Sequence, residues 1–166
     1  ARITICMAVN REPYLRAVLE NIANRTSDKT GIMFALWYDN DPAAKYYQNE
    51  INGIPAFAGT NERQEGVGFS RHRAILMADG GIIVVTDPHV NVPQGWDDII
   101  RGHFAGEEAQ KDVVCAKTRC VSDFDSLMSD EWAAKYGGAD FELFGDDGAN
   151  YCSPVAKWAH HQPGEI

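Results

Sequence analysis

The sequence lacks the marks of several common protein classes. No run of 18 apolar residues occurs in its 166 residues, so no segment has the length of a helix that crosses a bilayer. Positive charge is scarce: 15 Lys and Arg against 24 Asp and Glu leave a net charge of −9. Binding to a nucleic-acid backbone needs clustered positive charge, so nucleic acid is excluded as an expected partner. Anionic membrane surfaces are disfavoured for the same reason. Cysteine is sparse, and Cys6, Cys115, Cys120 and Cys152 form neither a CxxC pair nor a zinc-ligand spacing. The opening ARITICMAVNREP shows no secretory signal pattern, and the expectation is a reduced, cytoplasmic protein. Cys6 lies in an apolar run and is expected as a buried thiol, while a Cys115–Cys120 disulfide stays open.

Catalytic signatures are missing too. No GxGxxG follows the first apolar run, which counts against dinucleotide oxidoreductases. No GxxxxGK[ST] and no GxSxG occurs, which counts against P-loop enzymes and nucleophile-elbow hydrolases. Internal repeats, low-complexity tracts and linkers are absent. The expectation is one domain over residues 1–166, either a whole protein or a piece excised from a longer one.

What is present is an alternation of apolar runs and amphipathic segments. Residues 2–9 (RITICMAV) read as a buried strand. Asn10 is a candidate N-cap for a helix whose apolar positions are Tyr14, Leu15, Val18, Leu19 and Ile22. Residues 32–38 (IMFALWY) read as a second buried strand ending at Asp39-Asn40-Asp41-Pro42. A short helix is expected over 43–51, then a weak strand over 54–58 interrupted by Pro55. Residues 61–68 read as a polar loop, 69–78 as a helix, and 82–86 (IIVVT) as the strongest buried strand. A helix over 97–104 and a strand over 113–116 follow, with Asp- and Gly-rich loops around 137–150. This order argues for an α/β fold with a largely parallel sheet, in which ligands bind beyond the carboxyl ends of the strands.

Three polar groups sit at those strand ends: Asn10-Arg11, Asp39-Asn40-Asp41 and Asp87-Pro88-His89. Asp87 and His89 can together hold a divalent cation, or they can form an ordinary turn. Asp39 can accept a hydrogen bond from a base or ribose, or cap the helix at Ala43. Arg71 and Arg73 flank His72 on one helix, where a guanidinium can meet phosphate or face solvent. Asp146 and Asp147 in FGDDGAN can supply a general base or belong to a surface loop. Asp97-Asp98 reads as a helix start favoured by the macrodipole. The His160-His161 pair and the tryptophans 37, 96, 132 and 158 have their ordinary surface and packing roles as competing explanations.

Taken together, these segments resemble family-2-type GT-A glycosyltransferases. AVNREPYLRAVLENIANRT is similar to the opening strand, polar turn and helix of that family. YDND resembles the acidic end of its second strand. GVGFSRHRAILMADGGIIVVTDPHVNVPQGWDDII resembles its central block, with DPH at the DxD position, and GANYCSPVAKW resembles a later acceptor-side segment. The resemblance spans most of residues 2–104, with an echo at 145–158.

The resemblance implies a GT-A-like three-layer α/β/α sandwich with a mostly parallel central sheet. It implies transfer of a sugar from a nucleotide-sugar donor, a UDP-sugar foremost, to an acceptor hydroxyl on a glycan or small molecule. Inversion at the anomeric carbon and dependence on Mn²⁺ or Mg²⁺ are implied as well. On matching positions, Ala8, Val9, Asn10 and Arg11 lie against the nucleotide, Asp39 contacts the base, and Arg71 faces the diphosphate. Thr86 and Asp87 close the strand beside the diphosphate, and Asp87 with His89 holds the metal. Asp147 or Asp146 is the implied general base. The sequence departs from the family pattern in three places. His89 stands where a carboxylate is usual, Asp146-Asp147 precede GAN where the usual acidic pair follows it, and Ser153-Pro154 occupy the stretch where an Arg is usual. Two alternatives follow: a catalytically degenerate module that binds a nucleotide sugar, and a nucleotidyltransferase.

Overall fold

The computed structural model describes residues 1–79 and 81–107, together with the strands Gly138–Leu143 and Pro154–Ala159. The chain divides into two compact units, Ala1–Gln110 and Lys111–Ile166.

The first unit is built on a five-stranded sheet. Strands β1 (Ile3–Val9), β2 (Ile32–Tyr38), β3 (Glu50–Ile51), β4 (Ile54–Thr60) and β5 (Ile82–Thr86) lie in the order β3-β4-β2-β1-β5. All neighbours run parallel except β3, which pairs antiparallel with β4 at one edge. The expected α/β architecture with a mostly parallel sheet is therefore the observed one. Because β1, β2, β4 and β5 run the same way, the loops after Val9, Tyr38, Thr60 and Thr86 share one rim of the sheet.

Near-continuous apolar runs suit strands buried on both faces. In β1, Ile3, Ile5, Met7 and Val9 are buried on one face and Thr4 and Cys6 on the other. Helix α2 (Val67–Leu76) packs on the second face, where Ala74 meets the small residues Cys6 and Ala35. Cys6 is a buried free thiol, as expected, and burial pushes its pKa up to about 11. Helix α1 (Leu15–Asn24) buries the stripe Leu15, Val18, Leu19, Ile22 and Ala23. Helix α3 (Trp96–His103) docks on it, with Trp96 Nε1 donating to Ile22 O at 3.3 Å and to Thr26 Oγ1 at 3.1 Å.

Several local expectations are corrected. Asn10 does not cap α1: the helix starts five residues later, and Tyr14 holds the cap position without a side-chain cap hydrogen bond. The helix expected over 43–51 is a 3-10 turn at Pro42–Tyr46, capped by Asp41, whose Oδ1 accepts from Ala43 N at 2.9 Å. The cap is thus Asp41 and not Asp39. The remainder of that stretch becomes β3 and a hairpin through Asn52-Gly53, both with positive φ (47° and 86°). Asn-Gly is the pair that such a two-residue turn demands. Pro55 is tolerated because it faces only the edge strand, and pairing of β4 with β2 begins at Ala56. Strand β4 then runs to Thr60, two residues past the expected end.

Gly59 stands opposite Trp37, and a Cβ there would lie 2.2 Å from the indole ring. Strand β5 is only half buried, with Ile83 and Val85 exposed. These two side chains alternate with Ile82, Val84 and Thr86 and share one face of the sheet.

In the second unit, β6 (Gly138–Leu143) and β7 (Pro154–Ala159) form an antiparallel pair, with Gly138 opposite Ala159 and Leu143 opposite Pro154. Residues 138–143 were expected in a loop. The strand signal is the alternation of Ala139, Phe141 and Leu143 with Asp140 and Glu142. The strand expected over 113–116 lies outside the described residues.

Candidate functional site

Each residue group expected at a strand end sits on the same rim. Ala8, Val9 and Asn10, at the end of β1, line a small cleft together with Asp39, Gln64, Gly66 and Val67. The cleft is about 110 Å³. Pockets that enclose a whole small-molecule ligand run to roughly 300–1,000 Å³. The described cleft therefore suits a part of a ligand, such as a base or ribose, rather than a whole nucleotide sugar.

The walls of the cleft are built around Asp39, which is 4% exposed. Its backbone N–H extends the β1–β2 ladder by donating to Val9 O at 2.8 Å. Its carboxylate draws in the loop that follows β4. Oδ1 accepts from Asn61 Nδ2 at 2.7 Å and from Glu65 N at 2.8 Å, and Oδ2 accepts from Gly66 N at 2.9 Å. Burial alone would raise the carboxyl pKa. The Glu65 amide, the Asn61 side chain, the Gly66 amide and the Ser70 hydroxyl outweigh it, and the pKa falls below the ordinary carboxylate value. Asp39 is thus ionised and braced. Gly66 adopts φ 91°, which lets the loop turn directly into α2.

Asn61 organises the same corner. It is 8% exposed. Its Nδ2 also donates to Ser70 Oγ at 3.1 Å, its Oδ1 accepts from Trp37 Nε1 at 2.7 Å, and its backbone N donates to Tyr38 O at 2.9 Å. Arg73 of α2 lies over the rings of Trp37 and Phe69, at 5.7 Å and 5.1 Å from their centroids. Its guanidinium belongs to this stack and not to the rim.

Arg11 adopts φ 53°, and its backbone N donates to Asp41 Oδ2 at 2.5 Å. Asp41 therefore ties the β1 turn to the β2 turn, while the Arg11 side chain is exposed.

The groups after β5 stand apart from the cleft. Asp87 follows β5 and Asp39 follows β2, with β1 between them. At about 4.8 Å per strand, their strands are roughly 10 Å apart on the same rim. Asp87 pairs with Arg71 of α2, so the two residues expected near a diphosphate do meet. Both are partly exposed, and the Arg71 Nε is buried with no hydrogen-bond partner among the described residues. Thr86 ends β5 and is half-buried. His89 Nδ1 lies 3.1 Å from Glu12 Oε2, with the imidazole largely exposed and the carboxylate mostly covered.

These contacts bear on a divalent cation. Among the described residues, no three His, Cys, Asp or Glu side chains gather into a metal cage. Asp87 and His89 supply one carboxylate and one imidazole, each facing a partner within the protein. One carboxylate and one imidazole suit Mn²⁺ better than Mg²⁺, and two such donors leave most of a cation's coordination shell to water or substrate phosphates.

Glu12, Asn61, Gln64, Gly66 and Val67 were not singled out from the sequence. Asn61 had a legible signal, because it is the first polar residue after an apolar strand on the ligand-binding rim. Glu12 had none, since its meeting with His89 spans 77 residues of chain. Asp146 and Asp147, the expected base, lie outside the described residues, as do His160, His161, Cys115, Cys120 and Cys152.

No protein-family model and no curated protein sequence matches the chain. Solved structures do. The chain is similar to S. aureus TarS 1-349, with a TM-score of 0.54 and 16% identity over 63% of this chain and 32% of that one. The same score and identity hold for S. aureus TarS, of which 20% is covered, and for TarS 1-349 in complex with UDP-GlcNAc, of which 31% is covered. The chain thus spans about a third or less of the length of the structures it matches. At this identity the likeness establishes the fold alone: a mixed α/β architecture on a mostly parallel five-stranded sheet, shared with part of those structures.

Proposed function

We propose that the protein is a glycosyltransferase that takes a sugar from a nucleotide-sugar donor, a UDP-sugar foremost, and passes it to an acceptor hydroxyl. The observation that carries this reading is the assembly on one rim of a base-sized cleft and, two strands away, the Arg71–Asp87 pair followed by His89, which pairs with Glu12. The structural neighbour solved with UDP-GlcNAc supports the donor class. In this reading the nucleoside enters the cleft against Ala8, Val9 and Asn10, with Arg11 at its margin and Asp39 toward the base. The diphosphate extends past Thr86 toward Arg71 and Asp87.

The chemistry asks for two things. Negative charge builds on the departing diphosphate, and positive groups held in place stabilise it. Arg71 is one such group, and its guanidinium fork suits phosphate oxygens. A divalent cation, Mn²⁺ or Mg²⁺, held by Asp87 and His89 would supply further charge neutralisation there. The acceptor hydroxyl must also lose its proton to a carboxylate, the role proposed for Asp147 or Asp146. Direct displacement by that hydroxyl inverts the anomeric carbon.

A second reading is a module that binds nucleotide sugar without turning it over. It is favoured by the internal pairing of both Asp87 and His89. Hydrolysis of UDP-sugar, measured with and without Mn²⁺ on the chain and on Asp87→Ala, separates the two. Mn²⁺-dependent turnover that falls about a hundredfold or more in Asp87→Ala supports the enzyme. UDP-sugar binding with no turnover in either protein supports the module. Binding of neither UDP nor UDP-sugar overturns both.

A further inference from the structure

We propose that Glu12 is a positioning residue for the cation: it holds His89 by Nδ1 and so leaves Nε2, bare of hydrogen, as the nitrogen that meets the metal. This rests on Asp87 and His89 being the cation's ligands in the proposed function.

Glu12 and His89 are 77 residues apart in the chain, and only the fold brings them together. Glu12 precedes α1, where its backbone O accepts from Leu15 N at 3.4 Å and its Oε1 accepts from Tyr14 N at 3.4 Å. Its side chain is 14% exposed. A carboxylate so covered calls for donors, and Oε2 finds one at His89 Nδ1, 3.1 Å away. His89 lies in the segment after β5, with its side chain 59% exposed. The ring is thus anchored at one nitrogen and open over most of its surface. Pro88, with its fixed φ, stiffens the step between His89 and Asp87.

A neutral imidazole carries its proton on one nitrogen and a lone pair on the other. An ionised carboxylate only accepts, so it selects the form protonated at Nδ1 and leaves the lone pair on Nε2. Without that carboxylate an exposed ring exchanges both tautomer and rotamer, and each must be fixed again when a metal binds. Metal-bound histidines almost always donate their second ring nitrogen to an acceptor such as a carboxylate, which also makes the ligating nitrogen more basic. The Glu12–His89 pair has this arrangement in place before any metal arrives. A carboxylate at position 89 would offer an oxygen to a metal without any such selection. An imidazole needs its lone pair placed, and Glu12 places it.

The test uses the full chain, with folding checked by circular dichroism. Nitrogen NMR of the histidine rings at about pH 8.5 reads the tautomer. Mn²⁺ titration followed by electron paramagnetic resonance, with and without UDP, reads the affinity. The wild type is expected to carry the His89 proton on Nδ1. Glu12→Asp, one methylene shorter, keeps the charge but falls short of the ring. It is expected to mix the two tautomers and to weaken Mn²⁺ binding about tenfold. Glu12→Gln loses the charge but keeps an oxygen that can accept from Nδ1, so it should hold the wild-type tautomer and bind Mn²⁺ within about threefold of the wild type. Added to His89→Ala, Glu12→Asp should cost nothing more, because Glu12 acts through the ring. A wild-type ring protonated at Nε2 overturns the inference, and does so even if a variant fails to fold. Glu12→Asp binding Mn²⁺ as the wild type does, Glu12→Gln falling as far as Glu12→Asp, or a further loss on top of His89→Ala overturns it too. A wild type that binds no Mn²⁺, or His89→Ala that binds it undiminished, overturns instead the cation of the proposed function.

Discussion

Asp39 and Asp97 are buried carboxylates that remain ionised because N–H groups surround them. Asp39 is tied by Glu65, Gly66 and Asn61 at the ligand rim. Asp97, fully buried, is tied by Ser27 N at 2.8 Å, Asp28 N at 3.0 Å and Arg101 Nη1 at 2.6 Å. The same chemistry serves two ends: Asp39 shapes a cleft, and Asp97 pins the loop after α1. Exchange of one Asp39 oxygen for an NH₂ group turns an acceptor toward donors. Asp39→Asn is therefore expected to lower stability by about 1–3 kcal/mol in urea unfolding, whichever way the amide turns. Asp87→Asn, at a partly exposed pair, should change stability by less than about 1 kcal/mol. Equal losses in the two variants would contradict the view that the loop 61–66 hangs on Asp39.

Elements differ in how far the sequence reveals them, and the reason is the range of the forces involved. Strands β1 and β2 and the amphipathic helix α1 carry their signal within themselves, as continuous apolar runs or a 3.6-residue stripe. The 43–51 stretch does not. AAKYY has helical leanings, but Asp41-Pro42 opens a 3-10 turn and the hairpin pair Asn52-Gly53 draws Glu50-Ile51 into a strand. Two turns close together outweigh local propensity here, and INGI was the legible sign of it. The acidic start of α3 was read as favourable to the helix dipole, and Asp97 and Asp98 do lie in the first turn. That Asp97 also ties the chain 70 residues earlier was not visible locally. Burial raises its pKa, but the Ser27 and Asp28 amides and Arg101 lower it further, so the net shift is downward. A carboxyl with a folded pKa below its unfolded value of about 3.9 adds stability above pH 4. That contribution is lost as pH falls through the folded value. Asp97→Ala is expected to cost about 3 kcal/mol at neutral pH, because Arg101 and two amides lose their partner. The variant should also show a shallower loss of stability below pH 4 than the wild type in acid titrations followed by circular dichroism. Parallel acid profiles would mean that Asp97 titrates alike in the folded and unfolded chain.

At the scale of the whole molecule, the cleft and the charged pairs after β5 have a common origin in topology. Parallel strands put all their C-terminal ends on one rim, so polar residues far apart in sequence converge without any local instruction to do so. That is why the strand ends were legible as a site, while the loop that completes the cleft was not. Gln64, Gly66 and Val67 reach it through Asp39, a contact across 26 and 27 residues. All the cleft-lining residues, and Arg71, Asp87, His89 and Glu12 with them, belong to the compact unit Ala1–Gln110. Binding and transfer should therefore separate physically. A fragment ending at Gln110 keeps the sheet, the three helices and every donor and acceptor that brace Asp39. It is expected to unfold in a single cooperative transition and to bind UDP within about threefold of the full chain, since no contact proposed for the nucleoside is removed. Sugar transfer to an acceptor should vanish from the same fragment, because the proposed base at Asp146 or Asp147 is gone. A fragment that folds but does not bind UDP would place the nucleoside site elsewhere, and one that still transfers sugar would remove both aspartates from the reaction.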